Sequence, residues 1–115
     1  MNKRKRPETK KEVGALRLAS EPLFDLGITV GSPSAIRLVS DLQVLPATYL
    51  RFHAHGVWGR LNATNRAKND AAVLDGGPIV SSYAIKGSQG IFVITDAIDE
   101  DGIRLSTRIV LKSEH

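Results

Sequence analysis

The sequence contains no cysteine, which excludes a disulfide framework, a thiolate nucleophile and every zinc site built on sulfur. A compartment that is reducing, or indifferent to redox, follows. No charge-free run approaches the roughly 18 apolar residues of a membrane span, and residues 2 to 12 are too polar for the apolar core of a secretory signal. A soluble, cytoplasmic protein with no membrane partner is therefore expected. There is no glycine-rich phosphate-binding fingerprint and no serine in a nucleophile-elbow setting. Histidine is scarce, with three in all, so a zinc site would need carboxylates at positions the sequence does not supply. Asp99, Asp101 and Gly102 fit part of a calcium loop, but Ala97 and Arg108 stand where that loop needs acids. These absences argue for a non-enzymatic protein with no cofactor, no metal and no catalytic residues.

What is present suits a small globular fold. The 115 residues are 42% hydrophobic and 24% charged, an ordinary composition for one domain with a modest core. The formal charge of +4 has a particular location: residues 1 to 12 carry six basic side chains against two acidic ones, and residues 13 to 115 hold ten of each. The excess belongs to a basic tail, residues 1 to 12, which lacks an apolar face and is expected to be disordered when unbound. Residues 13 to 115 form the expected domain. Within it, residues 42 to 70 hold Arg51, Arg60, Arg66 and Lys68 against Asp70 alone, while Asp96, Asp99, Glu100 and Asp101 crowd a later loop.

The periodicity gives an order of elements. Gly27-Ile28-Thr29-Val30 reads as a short strand ending at Gly31. Ser32 followed by Pro33 reads as a helix start, because the serine oxygen takes an orphan amide and proline loses no bond at the first helical position. Ala35, Leu38, Val39, Leu42 and Leu45 make its stripe, which is predicted to end before Pro46. Pro46 opens a second predicted helix to His55, with Tyr49 and Phe52 on the face of Leu45 and Gly56 as its stop. Asn62 caps a third, in which Ala63, Ala67, Ala71 and Leu74 form a narrow apolar seam closed by Gly76 and Gly77. From Ile79 the period falls to two. Val80 to Lys86 reads as a strand, Gly87 to Gly90 as a turn, and Ile91 to Thr95 as a middle strand. After Asp101-Gly102 comes a last strand with Ile103, Leu105, Thr107, Ile109 and Leu111 packed and Arg104, Ser106 and Arg108 wet. The expected fold is α+β: three short helices packed on a three-stranded antiparallel meander, with a short N-terminal strand and the basic tail.

The order His53-Ala54-His55-Gly56-Val57-Trp58-Gly59, then Ser82-Tyr83, Ile91 to Thr95 and Leu105-Ser106-Thr107, resembles a family of small uncharacterised proteins of bacterial plasmids and other mobile elements. That family shows an Arg and a His before Gly-Asp-Trp-Gly, an Asn in the next helix, a Ser-x-Tyr strand, a Trp-x-Ile-Thr-Glu strand and a final Thr-Thr strand. Arg51, His53, Gly56, Trp58, Gly59, Asn69, Gly77, Ser82, Tyr83, Ile94, Thr95 and Thr107 fit those places. Val57 stands for the Asp, Phe92 for the strand Trp and Asp96 for the Glu, so any role needing that Asp is absent here. The resemblance implies a mobile-element accessory protein that acts on a host defence complex, of anti-CRISPR or anti-restriction type. It brings no established activity.

The candidate binding residues are Lys3, Arg4, Lys5 and Arg6 in the tail, with Arg51, His55, Trp58, Arg60, Arg66 and Lys68 in the domain. His53 and His55 sit about 200° apart on a helix, so they cannot readily share a metal. A structural His53 at the core edge is preferred, with His55 facing out. Trp58 lies between glycines that would let it project as an anchor. Two partners compete: a host protein or nucleoprotein complex, and DNA or RNA held by the tail and the Arg51 to Lys68 region. The phase of Arg66 and Lys68, two apart and on nearly opposite sides, counts against a winged-helix reader in which the third helix enters a groove. For the tail, a solvated terminus is preferred over a phosphate clamp.

Overall fold

In the computed structural model the described residues are Arg17, Leu18 and residues 20–115. The basic tail expected to be disordered, with Lys3, Arg4, Lys5 and Arg6, lies outside the described residues. The class is α+β: strand β1 (Ile28–Gly31), helices α1 (Pro33–Asp41), α2 (Pro46–Ala54) and α3 (Ala63–Asp75), then strands β2 (Ile79–Lys86), β3 (Gln89–Thr95) and β4 (Ser106–Leu111), with a closing 3₁₀ turn at Lys112–Glu114.

The sheet corrects the expected three-stranded meander. It has four strands in the order β1-β4-β3-β2. β2, β3 and β4 do form an antiparallel meander, but β1 joins β4 in parallel, with Ile28 opposite Ser106 and Val30 opposite Arg108. A strand of four residues cannot stand alone. β4 supplies a ladder, reached at one end by the Ile28 amide on the Leu105 carbonyl and at the other by the Ser32 amide on the Ile109 carbonyl.

The helices cover one face. Ala35 and Val39 of α1 meet Tyr83, Ile91, Val93 and Ile109 in the larger core cluster, flanked by Tyr49, Leu50 and Phe52 of α2. α1 starts as expected, with the Ser32 hydroxyl accepting from the Ala35 amide at 3.2 Å. It ends early, because Gln43 takes a left-handed backbone at φ 59° and the residues before Pro46 are steered away from helix. Val44 turns to the core in place of Leu45, which is 73% exposed. α2 ends where Gly56 adopts φ 77°.

α3 presents the face opposite to the expected seam. Ala63, Ala67, Ala71 and Leu74 all face out, and Asn69 and Ala72 are buried. The helix runs against the edge of β2, where backbone groups rather than methyls need partners. Ala72 joins Trp58 and Ile79 in a second core cluster with Phe24, Leu61 and Val73 around it. β4 also starts later than expected. Arg104 is buried while Ile103 and Leu105 stand in water, because the Arg104 guanidinium donates to the carbonyls of Ala72, Gly77 and Asp96 at 2.6–2.9 Å. Those bonds tie the end of α3 to the loop before β4, an enthalpic gain no isoleucine could supply.

Candidate functional site

The most concentrated polar chemistry lies inside the fold. His53 of α2 is fully buried, with Nδ1 2.5 Å from the Ser81 hydroxyl of β2 and Nε2 2.8 Å from the Thr95 hydroxyl of β3. Thr95 lies 2.6 Å from Thr107 of β4, and Thr107 donates to the Leu26 carbonyl at 2.7 Å. The direction of every bond follows from counting protons. Thr107 spends its one proton on Leu26, so Thr95 donates to Thr107. Thr95 then accepts from His53, which makes Nε2 the protonated nitrogen. Nδ1 carries a lone pair and accepts from Ser81.

A second proton on Nδ1 would create a buried cation. Burial first, and the positive charge of Arg104 second, push the His53 pKa down to about 3, so the imidazole is neutral at physiological pH. Phe24 meets its ring edge-on at a centroid distance of 5.2 Å, and Trp58 does so at 6.0 Å. Both nitrogens are occupied by protein groups and both flanks by rings. The arrangement can hold α2 to three strands and fix one tautomer; it offers no lone pair to a substrate or a metal.

Trp58, expected to project from its glycines, is 3% exposed and belongs to the core. Its indole stacks on Phe24 at 6.3 Å, and Nε1 donates to Asp70 at 3.0 Å. Asp70 in turn pairs with Arg17 at 3.7 Å, and Arg17 also donates to the Gly56 carbonyl. The glycines serve the backbone rather than the indole's exposure. Gly59 lies at φ 75°, and a β-carbon there would collide with the Ser82 carbonyl, because residues 58 to 60 run along β2.

The cationic candidates stay at the surface. Arg51, Arg60 and Lys68 are exposed; Arg66 and His55 are half-buried. Among the described residues none of the four basic side chains makes an ion pair; the pairs there are Arg17 with Asp70 and Arg108 with Asp96. His55 turns Nδ1 back onto the Arg51 carbonyl at 2.8 Å. Arg51 lies on α2 and His55 caps its C-terminal end, Arg66 and Lys68 lie on α3, and Arg60 is in the segment between the two helices. Among the described residues no group of three histidine or acidic side chains could hold a metal.

Sequence reading assigns no site role to Ser81, Thr95, Thr107 or Asn69, and the alternation puts Arg104 in water, whereas Arg104 is buried. A usable signal existed for Ser81, Thr95 and Thr107: each is a hydroxyl at a buried position of its strand, where a core histidine with two ring nitrogens to satisfy finds its partners. Comparison with protein-family models, with curated proteins and with solved structures gives no match.

Proposed function

We propose that the protein is a non-enzymatic interaction protein of a mobile genetic element, one that works by binding a host protein or nucleoprotein complex such as a defence assembly. The observation that carries this is the surface: large apolar side chains stand exposed, Leu74 at 90% and Leu45 at 73%, and among the described residues the exposed Arg51, Arg60 and Lys68 have no acidic partner. A mixture of apolar anchors and arginine is what protein interfaces use. The closed chemistry around His53 supports the same reading, since the strongest candidate for catalysis is spent on holding the fold. The place on a mobile element, and the defence target, rest on the resemblance alone.

The second reading, a small DNA- or RNA-binding protein, is favoured by Arg51, Arg60 and Lys68, which are exposed and make no ion pair among the described residues. One set of experiments separates the two. The full chain is used as bait in a bacterial host extract with nuclease and without it, beside Leu74→Asp, Leu45→Asp and an Arg51→Glu/Arg60→Glu double variant. The protein-partner reading expects capture that survives nuclease and falls about tenfold or more with either leucine variant, a loss of about 1.4 kcal/mol or more. Capture that vanishes with nuclease, ignores the leucines and falls steeply with salt moves the assignment to nucleic acid.

A further inference from the structure

The two edges of the sheet are finished differently. Strand alternation aims the N–H and C=O groups of Val80 and Ser82 outward from β2, and all of them are met. Asn69 receives the Val80 amide on Oδ1 and donates Nδ2 to its carbonyl, at 3.2 and 2.8 Å. Ser82 donates to the Trp58 carbonyl and accepts from the Arg60 amide. At the other edge, Ile28 and Val30 aim their backbone groups at β4, so Thr29 and Gly31 aim theirs outward. Among the described residues nothing bonds to these groups, and all four residues of β1 are exposed. Ile28 is 72% and Val30 54% exposed, and both lie on the face of the sheet away from the helices.

Monomeric proteins blunt such an edge with lysine, proline, a bulge or an inward charge. β1, Ile-Thr-Val-Gly, has none of these. From this edge we propose that the protein self-associates as a two-fold dimer through β1, pairing antiparallel with β1 of a second copy to continue the sheet. The proposal is independent of the function argued above.

A second copy fits better than an arbitrary strand because β1 is complementary to itself. With the two-fold axis beside Val30, Thr29 of one copy faces Gly31 of the other as a hydrogen-bonded pair, and the reverse pair forms across the axis. Every outward group of both strands is then used. Val30 lies against Val30 in the closer, non-hydrogen-bonded pair, and an uncharged strand brings no like charges together. Gly31 adds to the match. Its side-chain place is filled by Ile36, whose Cγ1 and Cδ1 occupy the space a β-carbon would take, so Thr29 of the second copy meets an apolar surface. Such an interface is isologous and closes on itself.

The test is sedimentation equilibrium of the full chain from about 1 to 500 µM, because a weak dimer shows itself by mass action. The apparent mass should climb from 12.5 kDa towards twice that value. Val30→Lys and Ile28→Lys should each raise the dissociation constant by about tenfold or more, with unchanged circular dichroism and melting at low concentration. Ala84→Lys, at an exposed position of β2, should leave it alone. Amide exchange at Thr29 and Gly31 should slow as concentration rises. A chain that stays monomeric throughout overturns the proposal, including the case in which β1 is protected only on adding a foreign protein. A dimer indifferent to both lysines overturns it as well.

Discussion

Along β2 the outward backbone groups of Val80 and Ser82 meet a side-chain amide and a neighbouring stretch of main chain, whereas along β1 the equivalent groups of Thr29 and Gly31 have no partner among the described residues. The contrast follows the core. Where α3 and the Trp58 to Arg60 segment are drawn in by the second apolar cluster, they exclude water from the β2 edge, and each buried N–H or C=O left unpaired would cost about 1 to 3 kcal/mol. Asn69 and the left-handed turn at Gly59, a conformation glycine adopts freely, are the response. Among the described residues no apolar cluster lies outside β1, whose four residues are exposed, so no burial forces its outward groups to find a protein partner. An edge is finished by the protein only where burial forces it.

The largest test of that contrast is Trp58→Ala. Removing an indole that fills the second cluster and anchors the segment capping β2 should cost about 3 to 5 kcal/mol in urea unfolding. A loss under about 1 kcal/mol would show that the β2 cap holds without its core.

Asn69→Leu keeps the branched heavy-atom outline of the amide, with somewhat greater bulk, and leaves the Val80 groups unpaired. It should destabilise by about 2 to 4 kcal/mol, and Val80 amide exchange should quicken. If it is neutral, the β2 edge is no more demanding than that of β1 and the comparison fails.

Acid probes the buried network beside the capped edge. His53 is held near 3 in the fold and near 6.5 when unfolded, so the unfolded chain binds the extra proton. Stability is complete above pH 6.5 and falls as pH drops towards 3, by about 1.4 kcal/mol per unit. Between pH 6.5 and 4.5 the loss should reach about 2 to 3 kcal/mol. His53→Gln, though less stable at neutral pH, should lose most of this slope; a slope unchanged in the variant would assign it to other groups.

The smallest effect is expected at β1. Val30→Lys should change monomer stability by less than about 0.5 kcal/mol, since the side chain already stands in solvent. A loss of 2 kcal/mol or more would mean that the open edge packs after all.

Turn and cap chemistry was legible because it is local. Ser32-Pro33, Asn62 and Gly56 mark helix ends through bonds to residues a few positions away, and each does so in the fold. The change of period at Ile79 and the apolar run Ile91 to Thr95 located β2 and the inner strand β3. The inward phase of His53 placed it at the core. What was misread depended on partners far along the chain. The alanines of α3 look like a seam, yet the face that packs carries Asn69, because its partner is a strand edge that needs an amide. Arg104 alternates like a solvent residue, yet three carbonyls from Ala72, Gly77 and Asp96 draw it in. Trp58 looks free between glycines that serve the Ser82 carbonyl instead.

The sequence by itself determined the class α+β, the order of its elements and most of their ends, because capping, proline geometry and hydrophobic period act over a turn or a few residues. Only the tertiary structure decided that β1 joins β4 as a fourth strand, that one edge is closed and the other open, and that His53 carries its proton on Nε2. Those outcomes turn on hydrogen bonds between residues up to 81 positions apart, whose strength comes from the exclusion of water, and water is excluded only once the chain has folded.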